Sequence, residues 1–561
     1  MNKASSASNN PTVTNKPGKF FLRNATGLRR EVSGLDAFIM NTFGMNIAVG
    51  AVLLFLQAPS YFPQGNVLVA IIIGTILMAF TLLWVYATFA AAMPSSGGDY
   101  VFVSRTLHPF LGWLLGWSQG MWLIFFWIGF NAWFSLTFAV PVALSTVGAA
   151  IGQSGLIEMS SNLLSSFSFL GITTQWWVIL FGALINIGFA ALLIMGGRSF
   201  WRWQKAFFLI AGISILLAFA LLIFDGNNIQ GAWNAFAAQH AGLSFSQVIP
   251  TAVKHGYTPP GGGFNLTDTL LMLPWVFYVV GYAQGSAQIG GEVRHASRAQ
   301  YLAMVGGVLI NGGMLLLIAI AFFHAVGANW IGSVGYLSIN DPALLHLPGN
   351  LSPSFNLIVS LASGNVIVPI IIGVGFVFWA LMGTPLSELQ ATRYMLSWSI
   401  DRMIPAPLGD VNERFHTPVK AIILCTVTGT LALIALVTIP QASLLGALLA
   451  QIAAFILVSI AGIFFPYRLR NVWEASGAHR ILGIPSVTLA GIGGVIALGG
   501  LMLMFIFNST LNTTFGVTAT LSLSFMVGVI VMGIIWYLVA YAINRSKGID
   551  LSLAYREIPT D

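Results

Sequence analysis

Charged residues are scarce in this chain of 561 residues, of which 7% are Asp, Glu, Lys or Arg and 57% are hydrophobic. A soluble globular protein carries about 25% charged residues. The composition therefore excludes that class and predicts a polytopic membrane protein. The excess of basic residues does not indicate a nucleic-acid partner, because these residues lie in short loops between apolar runs.

Cysteine and membrane-embedded histidine are also nearly absent. Cys425 is the single cysteine, so no disulfide can form within the chain. Of eight histidines, only His324 falls in an apolar run. A membrane redox enzyme needs several haem or metal ligands at that depth, and intramembrane hydrolysis needs paired catalytic residues. We therefore expect no enzyme activity, no catalytic residues, no metal site and no cofactor.

Apolar runs of about 20 residues, the length of a membrane-spanning helix, predict twelve spans. They cover residues 34–57, 66–92, 110–143, 174–195, 205–224, 268–291, 300–326, 362–386, 418–438, 443–465, 484–507 and 517–543. Of 23 Lys and Arg residues, only Lys254 falls on one of the two sides that this count defines. Because basic loops stay in the cytoplasm, we predict a multi-pass protein of the cell membrane with both termini cytoplasmic.

Two of these spans contain glycines and polar residues that disfavour a continuous helix. The first is interrupted by Gly44, Met45, Asn46, Ile47, Ala48, Val49 and Gly50. The sixth is interrupted by Val280, Gly281, Tyr282, Ala283 and the Gly- and Gln-rich run that follows. Non-helical backbone survives in a bilayer only where it faces protein or a cavity, and paired broken spans indicate a transporter's binding site. Close helix packing is the alternative explanation of the glycines.

Three further segments carry a family resemblance. They are Met93-Pro94-Ser95-Ser96-Gly97-Gly98-Asp99-Tyr100, the run from Gly281-Tyr282 to Glu292-Val293-Arg294, and Ala391-Thr392-Arg393-Tyr394-Met395 with Val411-Asn412-Glu413-Arg414. Together they resemble the amino acid–polyamine–organocation (APC) superfamily of permeases. Two features depart from that pattern: no proline follows Arg294 closely, and the middle of span 5 has no lysine, since Lys205 lies at its boundary.

The resemblance implies an all-α polytopic membrane protein with twelve transmembrane helices, as a LeuT-like 5+5 inverted repeat plus two C-terminal helices. It divides the chain into a polar cytoplasmic tail (1–32), a first repeat (33–225), a second repeat with long outer loops (226–466), spans 11 and 12 (467–545) and a cytoplasmic tail (546–561). It also implies an amino acid or related amine as substrate. A sodium site in this fold uses hydroxyl groups of span 8, where the middle has none before Thr384. The coupling ion, H⁺ or Na⁺, therefore stays open.

The two breaks predict how a zwitterionic amino acid is held. A half-helix that begins near Val49 presents N–H groups and its positive dipole end to a carboxylate. A half-helix that ends near Val280 presents carbonyl groups to an ammonium group. Four acids are expected near span ends: Asp36, Asp268, Glu292 and Glu388. Recognition is therefore left to the backbone and neutral side chains.

The candidate substrate-binding residues come from four spans. They are Gly44, Met45, Asn46, Ile47, Ala48, Val49 and Gly50 of span 1, Val280, Gly281, Tyr282 and Ala283 of span 6, Asn131 of span 3 and Phe376, or alternatively Trp379, of span 8. We predict a secondary transporter that moves a small amino acid across the lipid bilayer by alternating access. A polyamine, other amine or nucleobase carrier on the same fold is one alternative, and a channel or receptor is another.

Overall fold

The computed structural model describes residues 28, 30–169, 171–348, 351–439 and 447–559, so most of the predicted tail 1–32 lies outside the described residues. Strands within the described part form two short antiparallel hairpins, β1 (Phe167–Phe169) with β2 (Ile172–Thr174) and β3 (Arg480–Ile481) with β4 (Ile484–Pro485). Nearly all other regular structure is helical, which confirms the predicted all-α class.

The described chain from the start of span 1 to the end of span 5 contains eleven helices, two of which lie between spans. They are α1 (Gly34–Met45), α2 (Ile47–Tyr61), α3 (Val67–Phe80), α4 (Leu82–Ala92), α5 (Gly98–Thr106), α6 (Pro109–Trp122), α7 (Ile128–Phe134), α8 (Val140–Ile151), α9 (Ser154–Leu164), α10 (Trp176–Ile194) and α11 (Gly197–Phe224). Helices α6, α7 and α8 are joined by π-helical turns into one long span, Pro109–Ile151. The short helix α5 lies between spans 2 and 3, and α9 lies between spans 3 and 4.

The chain from the end of span 5 to the end of span 8 contains several shorter helices, some within the spans and some in the loops between them. The elements are α12 (Ile229–Gln239), α13 (Phe245–Lys254), α14 (Leu266–Leu271), α15 (Leu273–Val280), α16 (Gly285–Gln288), α17 (Ala296–Tyr301), α18 (Gly307–Val326), α19 (Ala328–Asn340), α20 (Phe355–Leu361), α21 (Ile367–Leu381) and α22 (Gly383–Ile400). The rest of the bundle consists of α23 (Val419–Thr438), α24 (Ala447–Arg468), α25 (Arg470–Ala475), α26 (Ser486–Phe507), α27 (Ser509–Phe515), α28 (Thr520–Ser546) and α29 (Leu551–Ala554).

Eleven helices of the described chain are long and apolar enough to cross a bilayer. The sixth predicted span corresponds to the shorter apolar helix Leu266–Val280, which stops where the sequence predicts a break. Counting it, the structure agrees with twelve spans. Span 1 is the most enclosed, with 82% of its apolar window buried, whereas α28 has 17% buried and faces outward. Span 1 therefore lies at the centre of the bundle.

Both ends of the described chain meet at one face of the bundle. Arg105, in the last turn of α5, lies 2.8 Å from Asp401 and donates to the carbonyl oxygen of Glu557. Arg294 donates to the carbonyl oxygen of Arg30 at 2.8 Å. We call this surface, formed by residues 30–33, 98–108, 292–298, 393–418 and 547–559, the basic face.

Glu388 does not lie where the sequence predicts. Helices α21 and α22 form one span of 34 residues, Ile367–Ile400, and Glu388 lies in its interior with none of its surface exposed. The prediction of a position near a span end is wrong because it followed the apolar run, which stops near Leu386. Beyond that point α22 is surrounded by protein rather than lipid, since most of its side chains up to Trp398 are buried. Its polar residues therefore cost less than hydropathy suggests.

Candidate functional site

Span 1 is interrupted at a single residue. Helix α1 ends at Met45, and Asn46 adopts a left-handed conformation with φ 45° and ψ 70° before α2 begins at Ile47. Asparagine is among the few non-glycine residues that tolerate this conformation. The side-chain amide of Asn46 donates to the carbonyl oxygen of Trp379 in span 8 at 3.3 Å. The second half-helix thus starts at Ile47, two residues before the predicted Val49.

Span 6 is interrupted over a longer stretch. Helix α15 ends at Val280, as the sequence predicts, and residues 281–284 form a turn before the single-turn helix α16. The N–H group of Gly281 donates to the carbonyl oxygen of Phe277 at 2.8 Å, which closes the last turn of α15. The last carbonyl groups of such a helix have no partner within it.

The two interruptions lie side by side. A Cβ atom placed on Gly44 would lie 2.8 Å from the carbonyl oxygen of Tyr282, and one placed on Gly50 would lie 2.5 Å from a methyl carbon of Val279. Ordinary contacts begin near 3.4 Å. Glycine is therefore needed at both positions for a close approach of the two spans.

A cavity of about 90 Å³ lies against the two breaks, bounded also by spans 3, 8 and 10. Five of its lining side chains are glutamines: Gln119, Gln284, Gln288, Gln390 and Gln451. None of the described residues on its wall is an acid, a lysine, an arginine or a histidine. It is small beside the roughly 300–1,000 Å³ of pockets for drug-sized ligands, so it fits a small, uncharged or zwitterionic molecule.

The structure brings together some of the predicted site residues and separates others. Gly44, Met45, Asn46, Asn131 and Tyr282 line the cavity. The following residues are buried but are not part of its wall: Ile47, Ala48, Gly50, Val280, Gly281, Ala283 and Phe376. The Phe376 ring stacks on that of Phe355, and the side chain of Val49 lies outside the described part. The role of all thirteen residues in binding stays a prediction.

Three polar atoms near the cavity have no hydrogen-bonding partner among the described residues. They are Nε2 of Gln119, Oη of Tyr282 and Oε1 of Gln284. Buried polar groups are nearly always paired, so a donor, an acceptor and a hydroxyl group are available to a ligand here. Gln284 belongs to the Gly- and Gln-rich run that interrupts span 6 in the sequence, whereas Gln119 is not among the residues predicted from the sequence. A search for glutamines within apolar spans would have found it.

Hydrogen bonds connect the cavity to the basic face. The amide of Gln288 lies 3.1 Å from the hydroxyl group of Tyr394, which donates to Oδ1 of Asp99 at 2.5 Å. Tyr86 donates to Oδ2 of the same carboxyl group at 2.8 Å. Burial raises the pKa of Asp99 to about 6, although both tyrosine hydroxyl groups oppose the shift. These hydrogen bonds therefore extend from the cavity wall, at Gln288 and Tyr394, to Asp99 of the basic face.

Comparison with known proteins gives the family and a few relatives. Three mycobacterial proteins, one from Mycobacterium bovis and two from strains of Mycobacterium tuberculosis, are each named an uncharacterized transporter. Each is 28% identical to this chain over 135 residues, which is 23% of this chain and 30% of the relative. The similarity thus spans less than a third of these curated relatives.

The family match covers far more of the sequence. Residues 33–534 match the amino acid permease family, from the start of span 1 into span 12. This confirms the resemblance to the APC superfamily and indicates a transporter. On that match, the chain belongs to the amino acid permease family.

Proposed function

We propose that this protein is a secondary transporter that moves a small amino acid across the cell membrane by alternating access. The observation that carries the proposal is the pair of helix breaks, in contact at Gly44 and Tyr282, beside a cavity without a charged side chain. Membership of the amino acid permease family supports the substrate class.

The helix ends supply complementary charge for a zwitterion. The first N–H groups of α2, from Ile47 to Val49, have no carbonyl partner within that helix, and together with the helix dipole they attract a carboxylate. The final carbonyl groups of α15, which ends at Val280, attract an ammonium group. An α-amino acid carries both groups on adjacent atoms and so binds without any ionised side chain.

The neutral side chains of the cavity offer no negative charge to a substrate with several positive charges. A polyamine has no carboxylate for the start of α2, and a second ammonium group in this cavity would find amides and hydroxyl groups only. An ion in a low-dielectric site is stabilised by an opposite charge far more than by neutral dipoles. The cavity therefore favours an amino acid with an uncharged side chain over a polyamine.

We assign the basic face to the cytoplasm. All Lys and Arg residues except Lys254 lie on that side of the predicted spans, and basic loops are retained on the cytoplasmic side. Both termini are then cytoplasmic. The breaks of spans 1 and 6 occupy equivalent positions in proposed inverted repeats 33–225 and 226–466, which rock against each other around the site.

The test is binding and transport by purified protein in liposomes. Small neutral amino acids are expected to raise its melting temperature and to drive saturable counterflow. Their methyl esters, N-acetyl derivatives and decarboxylated amines are expected to do neither, because each lacks one of the two charges. Equal stabilisation by the amines would favour an amine carrier, and stabilisation by nucleobases alone would favour a nucleobase carrier. Current proportional to voltage without saturation would indicate a channel.

A further inference from the structure

Glu388 is a buried carboxyl group that the proposed binding chemistry does not use. It lies in the interior of span 8 with none of its surface exposed. An ionisable side chain inside a membrane span is costly and usually marks an ion or proton pathway. The groups that contact this carboxyl group determine whether it can bind and release a proton.

The carboxyl group contacts α23 through a threonine. Oγ1 of Thr426 lies 2.7 Å from Oε1 of Glu388 and 2.8 Å from the carbonyl oxygen of Ile422. A hydroxyl group has a single proton, so Thr426 donates to Glu388 when that group is ionised. When Glu388 is protonated, its carboxyl group donates to Oγ1 of Thr426. The hydroxyl group of Thr426 then donates its own proton to the carbonyl oxygen of Ile422. The contact therefore accommodates both protonation states without moving a heavy atom.

No basic side chain contacts this carboxyl group within the described part of the chain. Its Oε2 accepts no hydrogen bond from a described residue, and the ionisable group that interacts with it from a neighbouring helix is the thiol of Cys425. The other ionisable side chains on α22 and the helices packed against it have partners elsewhere: Asp36 with Lys205, Asp99 with Tyr86 and Tyr394, Arg105 and Tyr100 with Asp401, Arg393 with Glu292, and Lys420 with Asp410. A proton is thus the charge available to neutralise Glu388.

A second cavity, of about 150 Å³, extends from the basic face towards this pair. Its wall includes Thr392, one turn beyond Glu388 in α22, and Ile422, one turn before Thr426 in α23. Arg393, whose carboxylate partner also lines the cavity, lies at its basic-face side. Each of these two wall residues therefore lies one helical turn, about 5.4 Å of rise, from the residue of the pair on its own helix.

The other side of α22 lines the candidate substrate cavity. Ser387 and Gln390 are part of its wall, and Nδ2 of Asn131 lies 3.3 Å from Oγ of Ser387. Glu388 follows Ser387 directly but contacts α23. A substrate that displaces α22 therefore also changes the packing of Glu388 against Thr426.

We propose that Glu388 is a proton-binding residue that couples proton movement to amino acid transport and exchanges its proton through the cavity at the basic face. The inference rests on the proposed function, since it presupposes amino acid transport. The proton comes from bulk water and returns to it, so no other reactant is needed. Protonation removes the charge of the carboxylate and with it the cost of holding an unpaired ion in a low-dielectric interior.

The experiment uses the full-length protein in liposomes that contain a pH-sensitive dye. Addition of a transported amino acid to wild-type protein is expected to change the internal pH. Glu388→Gln replaces the acid by a neutral side chain of similar size, and it is expected to lose this proton flux while it still exchanges amino acid between equilibrated pools. Glu158→Gln makes the same change on the exposed surface of α9 and is expected to match wild type.

Proton flux that persists in Glu388→Gln overturns the proposal, as does its absence from a wild-type protein that transports amino acid. If the wild-type protein neither binds nor exchanges an amino acid, the proposed function fails instead. If Glu388→Gln does not fold, Thr426→Val is the second variant. It keeps the carboxyl group but removes its hydroxyl partner, and it is expected to shift the pH of half-maximal uptake. An unchanged pH midpoint overturns the proposal.

Discussion

Replacing Gly44 by alanine tests whether the two helix breaks must touch. The added Cβ would lie 2.8 Å from the carbonyl oxygen of Tyr282, whereas ordinary contacts begin near 3.4 Å. The opposing atom belongs to buried backbone and cannot rotate away, so spans 1 and 6 must separate by about 0.6 Å. Overpacking of this kind costs ~1–3 kcal/mol, which corresponds to a roughly 5- to 150-fold loss in the population of the packed state.

The assay is the initial rate of amino acid uptake into liposomes, measured beside the melting temperature of the purified protein. Gly44→Ala is expected to lower uptake within that range. The matched control is Gly212→Ala in α11, where an added Cβ meets no atom within 4 Å. It is expected to transport like wild type and to gain up to ~1 kcal/mol in stability, since alanine favours a helix. Wild-type uptake and melting temperature in Gly44→Ala would refute the idea that the breaks need this contact.

Three further predictions concern the helix breaks and the buried charged residues near the basic face. Gly50→Leu is expected to abolish uptake but leave the protein inserted, because its side chain would overlap Val279; normal uptake would contradict this. Arg393→Ala removes the cation that lies 2.6 Å from the buried carboxylate of Glu292. Because that charge is then left unpaired, a loss of ~3–5 kcal/mol in unfolding free energy is expected. An unchanged melting curve would contradict this expectation. Burial raises the pKa of Asp99 from 3.8 to about 6. The folded protein then binds this proton more tightly than the unfolded chain, so the stability from this group is complete below about pH 4 and is lost as the pH rises through about 6. Asp99→Asn is expected to flatten the fall in melting temperature over that interval, and an equal slope in both proteins would count against it.

The membrane spans and both breaks follow from local sequence. A run of about 20 apolar residues has few options besides a transmembrane helix, and glycines within it weaken the helix whatever surrounds it. The end of α15 at Val280 agrees with this reasoning to the residue. The sequence predicts an interruption within the glycine-rich stretch of span 1. The chain turns there at Asn46, which has a left-handed backbone and whose side chain donates a hydrogen bond to the carbonyl oxygen of Trp379. That tertiary contact is not visible in the local sequence.

The polar wall of the cavity was harder to predict because it depends on how distant helices rotate against one another. Gln119, Gln390 and Gln451 come from spans 3, 8 and 10, and each lies in an apolar or mixed segment without a local motif. The position of Glu388 within its helix differs from the prediction for a related reason. Hydropathy measures compatibility with lipid, whereas α22 is enclosed by other helices, and its buried polar residues interrupt the apolar signal without ending the helix.

Span 8 physically connects the two proposed sites. The carbonyl oxygen of Trp379 accepts a hydrogen bond from Asn46 at the break of span 1, and Glu388 contacts Thr426 farther along the same helix. At 1.5 Å per residue, about 13 Å of helix separates Trp379 from Glu388. Coupling between two binding sites is reciprocal: if an amino acid at the breaks changes the proton affinity of Glu388, protonation must change the amino acid affinity by the same factor. If the amino acid affinity is the same when Glu388 is protonated and when it is ionised, the two sites are not thermodynamically coupled, although both involve span 8.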